Sequence, residues 1–344
     1  MTSPVNQNQE KEFIAARCRE LRIPSNHSNS PRLKVLVLCG GPGPEREVSL
    51  ASGRAIIKAL TLRGHQVVSA DISPDDLSAL DQDNIDVVFP ILHGTFGEDG
   101  QLQEIMEKKR ICFVGSDSAS SRLAMDKFRS KQVFLREGLA TPASELIGAV
   151  GPKAQLDKNI QDSLTRISPP WVIKPNSQGS SLGITIVHDQ HSAEEAIKLC
   201  LRQYNDCLVE QFIDGHEFTV GVLGSTPLPV LEVQVEQGFY DYRAKYIDED
   251  TGYIFDLDLP DKNIRQMQDI SLQAFNCLGC RDLARVDFIR DGRGCLYVLE
   301  VNTLPGFTDH SLVPKAAARA GMSMGQICDM IVQMAYKRSI NNKL

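Results

Sequence analysis

The chain has 344 residues, an apolar fraction of 42% and a formal net charge of −7, which suits two or three packed units with an ordinary buried core. The negative balance excludes non-specific binding to nucleic acid or to an anionic membrane, while leaving room for a local basic pocket. The polar opening MTSPVNQNQEKE lacks the apolar core of a secretory signal, no later run is long enough to span a bilayer, and the nine cysteines are scattered through apolar runs, which together predict a reduced, cytoplasmic protein.

Residues 1–31 hold a short amphipathic stretch (Phe13, Ile14, Cys18, Leu21) and then SNHSNSPR, read as a loosely attached extension and linker. From Lys34 the pattern becomes regular. KVLVLCG is an apolar run of strand length closed by glycines. Val48, Ala51, Ala55, Ile56 and Ala59 recur at helical spacing until Gly64 stops the helix. HQVVSAD and IDVVFPIL predict further strands, EDGQLQEIMEKK a helix and ICFVG another strand. Strands alternating with helices imply a parallel sheet with crossover helices, ending near Ala124. One helix is predicted over 118–137. WVIKP, GITIVH, CLVEQFI, HEFTVGVLG and PVLEVQVE then follow in quick succession, as in a mainly antiparallel sheet. The last third predicts a helix over 264–278, the strands LARVDFIR and CLYVLEVN, a loop and two closing helices. Cys277 and Cys280 form a C-x-x-C pair, but no second pair completes a zinc site, so both are read as packing residues.

The last strand pair carries the sharpest chemical signal. Asp287 interrupts the apolar strand ARVDFI, and Glu300 and Asn302 lie two apart in YVLEVN, on one sheet face. Two carboxylates and an amide oxygen form an oxygen-only set that suits Mg2+. A carboxylate paired with nearby Arg285 is the competing reading. KPNSQGSSLG, leaving the strand WVI, offers Lys174, two glycines and hydroxyls to phosphate, or is simply a hairpin turn. It is not a Walker A loop. GGPGPEREVS runs from a strand into a helix N-terminus, an anion position in many parallel sheets. Glu45 and Glu47 would repel phosphate there and favour an ammonium group; a plain acidic first turn is the alternative. HGTFGEDG, with His93, lies at the same sheet edge and by itself is weak.

Together and in this order, GGPGPEREVS, HGTFGEDG, VGSDSASSRLAMDK, VIKPNSQGSSLG, DYRAKY, LARVDF and LEVNTLPGFTDHSLVP resemble the D-alanine–D-alanine ligases of the ATP-grasp superfamily, from about Lys34 to the C-terminal helices. The resemblance implies a mixed α/β and α+β architecture. A linker over 1–32 precedes a Rossmann-like domain over 33–124, and ATP-grasp subdomains over 125–215 and 216–344 follow, with a lid loop over 240–260. It implies a homodimer that uses ATP, two Mg2+ ions (with Mn2+ as a substitute) and two D-alanines, in peptidoglycan synthesis.

The resemblance also assigns roles. Lys127, Lys174, Ser181 and Lys245 contact ATP phosphates; Glu210 and Ile213 face the adenine and Glu217 the ribose. Asp287, Glu300 and Asn302 hold the metal ions. Glu45, beside Val48 and His93, takes the ammonium of the first D-alanine, and Ser180 and Tyr246 complete a hydrogen-bonded group with it. Arg285 and the backbone of Gly306 stabilise the oxyanion, and Ser311 and Leu312 bind the second D-alanine. Two departures stand out. Glu104 replaces a small residue, and Phe255–Asp256 ends the lid where relatives have a proline and a small residue. Ligases forming D-alanyl-D-lactate or D-alanyl-D-serine, and a non-catalytic nucleotide-binding module, are the alternative readings. A dinucleotide enzyme fails on the glycine spacing.

Overall fold

The computed structural model describes residues 30–150, 152–234 and 252–341. The first sheet is parallel, with β1 (Lys34–Leu38) between β2 (Gln66–Ala70) and β3 (Val87–Pro90). Because side chains alternate along a strand, β1 feeds two cores. Val35 and Val37 pack with Ile56 and Leu60 of α1 (Arg46–Leu62), while Leu36 and Leu38 pack with Leu102 and Met106 of α2 (Gln101–Lys108).

Two expected elements are altered. ICFVG makes a single parallel bridge, Val88 to Phe113, rather than a strand. The chain turns away at Gly115, whose N–H is captured by the Asp282 carboxylate at 2.8 Å. The helix expected over 118–137 is two helices, α3 (Ser118–Met125) and α4 (Lys127–Arg136), broken at Asp126. Asp126 has an extended ψ of 93° and its carboxylate accepts from Arg129 N, so it caps α4 instead of continuing α3.

The second sheet is antiparallel, in the order β4 (Ser144–Gly148), β7 (Asp206–Gln211), β5 (Trp171–Lys174), β6 (Thr185–Val187). Helices α5 (Lys153–Arg166) and α6 (Gln190–Tyr204) cover one face through Ile160, Ile197 and Trp171. The third sheet runs β11 (Gly252–Ile254), β10 (Leu231–Gln234), β8 (Gly215–Leu223), β12 (Leu283–Asp291), β13 (Leu296–Asn302), also antiparallel; β9 (Thr226–Pro227) pairs with β8. Its back is covered by α7 (Asp261–Cys277), with Met267 and Phe275 against Phe218, Val286 and Phe288.

The last helices, α8 (Leu312–Arg319) and α9 (Met324–Asn341), return to the first sheet, and α9 packs on α1 and β3. Val313, Ile327 and Ile331 share a core with Val35 and Phe89, and Phe307 meets Phe89 edge-on at 5.8 Å. A polar clamp reinforces this return. Asp329 on α9 accepts from Arg63 Nη2 at 2.9 Å and lies 3.1 Å from His65 Nε2. His65 Nδ1 accepts from Leu33 N, so Nε2 carries the proton and donates to Asp329. Burial alone would raise the Asp329 carboxyl, but His65 and Arg63 hold it below the usual range. The clamp therefore contributes fully above the ordinary carboxylate pKa and fades as pH falls through the lower folded value. Asp329→Ala is expected to cost about 2–4 kcal/mol in urea unfolding near neutral pH, with kcat little changed. A loss under about 0.5 kcal/mol would show the clamp to be dispensable.

Glu104, one of the two departures, is partly exposed and pairs with Lys108 at 2.6 Å and with Arg122 on α3, so it ties α2 to α3. In the other departure, Phe255 packs against Leu231, Val233 and Leu312, and Asp256 pairs with Arg319 of α8. Residues 255 and 256 are thus fastened to α8 and the core beside it. Lys245, Tyr246 and residues 1–29 lie outside the described residues.

Candidate active site

The two antiparallel sheets face each other across a narrow cleft of about 130 Å³. Lys174 ends β5, and Ser181 follows in the loop behind it; β7 and the turn after it supply Glu210 and Ile213, and β8 supplies Glu217. Asp287 and Glu300 form the opposite wall. The cleft opens into a larger cavity of about 770 Å³ between the first sheet and the loop before α8. Lys127, Gln178 and Glu300 line both, so they mark the junction.

The loop after β5 is anchored by the break between α3 and α4. Asn176 donates through Nδ2 to Asp126 at 2.9 Å and accepts from Phe128 N at 2.8 Å, while Lys127 Nζ donates to Gln178 O at 2.6 Å. Ser180 and Ser181 then adopt φ of 52° and 56°. Two consecutive non-glycine residues in the left-handed region cost about 1–3 kcal/mol each, and such strain persists where surrounding contacts enforce it. Here Ser180 Oγ donates to the Glu45 carboxylate, which supplies one such contact.

Glu45 precedes the first turn of α1 and is 5% exposed. Glu98 lies beside it, accepting from Gly94 N at 2.9 Å and facing His93 Nδ1 at 3.4 Å. Burial would depress the His93 imidazole, but its contact with Glu98 and the charge of Glu45 raise it above the ordinary value. Among the described residues, buried His93 Nε2 has no hydrogen-bond partner. Two carboxylates in a cavity also lined by Val48 suit a small cationic group. The acidic-turn alternative for Glu45 does not explain its inward, serine-bound position.

Asp287 and Glu300 are direct cross-strand partners, as are Arg285 and Asn302. Like charges in register destabilise a sheet unless a cation intervenes. Arg285 does intervene at Asp287, with Nε and Nη2 at 2.9 and 2.8 Å, and Thr219 Oγ1 donates to Oδ1 at 2.6 Å. The arginine pairing left open by the sequence is therefore real. Oδ2 also accepts more loosely from Nε at 3.3 Å, so a cation at this carboxylate would share it with the arginine. Glu300 faces Lys127 at 3.1 Å, and Asn302 Oδ1 accepts from Leu304 N. Oxygen atoms of Asp287, Glu300 and Asn302 on one face fit Mg2+ completed by phosphate oxygens. Among the described residues no group of three or more His, Cys, Asp or Glu makes a self-sufficient metal cage.

Gly306, Ser311 and Leu312 close the far side of the cavity. Ser52 Oγ accepts from Phe307 N at 3.1 Å and Ser311 Oγ from Thr308 N at 2.9 Å, which fixes the loop. A Cβ on Gly306 would lie 2.8 Å from Ser311 Oγ. Gly306→Ala is expected to raise the KM for the second substrate about tenfold or more, with the KM for ATP unchanged in initial-rate kinetics. Equal effects on both would place Gly306 outside that subsite.

The cleft and cavity bring together every site residue expected from the sequence except Lys245 and Tyr246, which are outside the described residues. The residue-level reading missed Glu98, Thr219, Asn176 and Lys131. Glu98 and Asn176 sit inside the quoted motifs. Thr219 and Lys131 look like ordinary strand and helix residues, and only packing shows their partners.

Two antiparallel sheets clasping a lysine-lined cleft, with opposed carboxylates at its inner wall, define the ATP-grasp class of ligases. Comparison with known proteins narrows the class. A model described as "D-ala D-ala ligase C-terminus" matches residues 134–333, and its N-terminal counterpart matches residues 76–116. The chain belongs to the D-alanine–D-alanine ligase family. It is 44% identical over 292 residues to the D-alanine–D-alanine ligase of Xanthomonas axonopodis pv. citri (strain 306), covering 84% of this chain and 90% of the relative. The crystal structure of D-alanine–D-alanine ligase from Bacillus anthracis superposes with a TM-score of 0.79 at 32% identity, over 90% of this chain and 99% of that one. Its structure complexed with ATP gives 0.77 at 28% identity, over 90% and 99%. The VanG D-Ala:D-Ser ligase from Enterococcus faecalis gives 0.78 at 27% identity, over 89% and 100%.

Proposed function

We propose that the chain joins two D-alanines into D-alanyl-D-alanine at the expense of ATP, for peptidoglycan synthesis. The observation that carries this reading is the junction at Lys127 and Glu300, where a cleft with two lysines and opposed carboxylates opens onto the acid-lined cavity of Glu45 and Glu98. Lys127, Lys174 and Ser181 hold the phosphates of ATP, with Glu210 and Ile213 at the adenine end and Glu217 at the ribose. Asp287, Glu300 and Asn302 would hold two Mg2+ ions, or Mn2+, which would supply neutralisation of phosphate charge.

Glu45, oriented by Ser180 and backed by His93, binds the ammonium of the first D-alanine. That leaves its carboxylate towards the junction, where it attacks the γ-phosphorus and ADP departs, giving an acyl phosphate. The second D-alanine, held by Ser311 and Leu312, attacks the acyl carbon through its amine. Arg285 and Gly306 N–H stabilise the oxyanion, and phosphate leaves as the carbonyl reforms. Lys245 would reach the ATP phosphates and Tyr246 would join Glu45 and Ser180, both from outside the described residues.

The likeness to a D-Ala:D-Ser ligase makes D-serine the second substrate to test. Phosphate release from MgATP should depend on D-alanine and yield D-alanyl-D-alanine by mass, with little release with L-alanine. Release that needs D-serine or D-lactate would keep the mechanism and change the second substrate. ATP binding without release would leave a non-catalytic module. The same reading places a homodimer in the cytoplasm; sedimentation at the monomer mass would refute the dimer.

A further inference from the structure

Lys131 lies on α4 one turn beyond Lys127 and is wholly shielded from solvent. An ammonium so placed is costly unless paired. It pairs with Glu210 Oε1 and donates to Thr141 Oγ1 at 2.7 Å. Thr141 gives its own proton to Val298 O, also at 2.7 Å, so its lone pairs face the lysine. The other oxygen of Glu210 is 2.5 Å from Lys174 Nζ. Two ammonium groups therefore share one carboxylate, and the buried trio keeps one net positive charge. Lys174 and Glu210 line the nucleotide cleft, whereas Lys131 stands behind them. Val298 lies on β13, two residues before Glu300, so the network also reaches the carboxylate wall.

We propose that Lys131 is a positioning residue of the nucleotide site, neutralising Glu210 from behind so that the charge of Lys174 remains available to the phosphates of ATP. The inference rests on the assignment of Lys174 to those phosphates. Without Lys131, Lys174 and Glu210 close into a neutral pair, and the cleft loses one unit of positive charge. Burial brings the Lys131 ammonium down to about 8; Glu210 opposes that fall, Lys174 adds to it, and Glu300 is the further charge that acts on it. A base with a lowered pKa is charged below that value and neutral above it. ATP affinity should therefore fall as pH rises through about 8.

The test is titration calorimetry of the full chain with MgATP, without D-alanine, at about pH 7 and about pH 9, for wild type and Lys131→Met. At the lower pH the variant should bind ATP about tenfold more weakly, with the KM for D-alanine unchanged. Wild-type affinity should fall towards the variant's at the higher pH, and the variant's should stay flat. A wild type with equal affinity at both pH values, or a variant with wild-type affinity, would overturn the proposal. If Lys131→Met does not fold, the wild-type profile decides, supported by Thr141→Val. That substitution removes a hydrogen bond to the ammonium and should move the midpoint to lower pH. Lys174→Met is measured alongside; if it binds ATP normally, the phosphate assignment itself falls, and the proposal with it.

Discussion

Glu300→Gln is expected to remove dipeptide formation by on the order of a thousandfold or more in kcat, with thermal unfolding close to that of the wild type. Glutamine keeps the volume and one carbonyl oxygen but removes the charge that faces both Asp287 across the strands and Lys127 at 3.1 Å. Two carboxylates and an amide bind a hard cation well; one carboxylate and two amides bind it poorly. The residual rate should need a much higher Mg2+ concentration for saturation, which a metal titration reads directly. Loss of the negative charge relieves the cross-strand repulsion with Asp287 and releases Lys127, two opposed effects that leave the folded state close to wild type. Near-normal turnover at the usual Mg2+ level would sink the metal assignment.

Arg285→Met should lower dipeptide formation by about 10²–10³ in kcat, and should do so unevenly between the two chemical steps. If Arg285 stabilises the oxyanion, phosphoryl transfer survives better than amine attack. D-alanine-dependent ADP release would then exceed dipeptide as the acyl phosphate hydrolyses. The structure gives Arg285 a second task, the bidentate hold on Asp287 at 2.9 and 2.8 Å. Were that task dominant, ADP and dipeptide would fall together, and the oxyanion role would be refuted. Quantifying both products in one reaction separates the two.

Much of the site was legible because its chemistry is local. Glu300 and Asn302 share a face by strand period alone, and GGPGPEREVS declares its turn through glycines and its preference for a cation through Glu45. The order of the motifs along the chain then identified the family. The break at Asp126 was not legible, because ASSRLAMDKFRSKQVFLR has helical spacing throughout. Capping by Asp126 and its bond to Asn176, fifty residues away, outweigh that propensity. ICFVG likewise has strand composition, and its pairing stops where Gly115 turns to a positive φ and gives its N–H to Asp282, far along the chain.

The sequence by itself determined most of the strands (β4, β9 and β11 were not legible in it and ICFVG was over-read), the chemical character of each loop and the acceptor set on β13, since these follow from residue type and short-range periodicity. Tertiary structure alone decided which charges meet. It paired Arg285 with Asp287, brought Ser180 to Glu45 across 135 residues, and buried Lys131 against Glu210 and Thr141. The physical reason is that the strength of an ion pair depends on separation and desolvation. Both are set by how distant segments pack and neither is encoded in the spacing of neighbours.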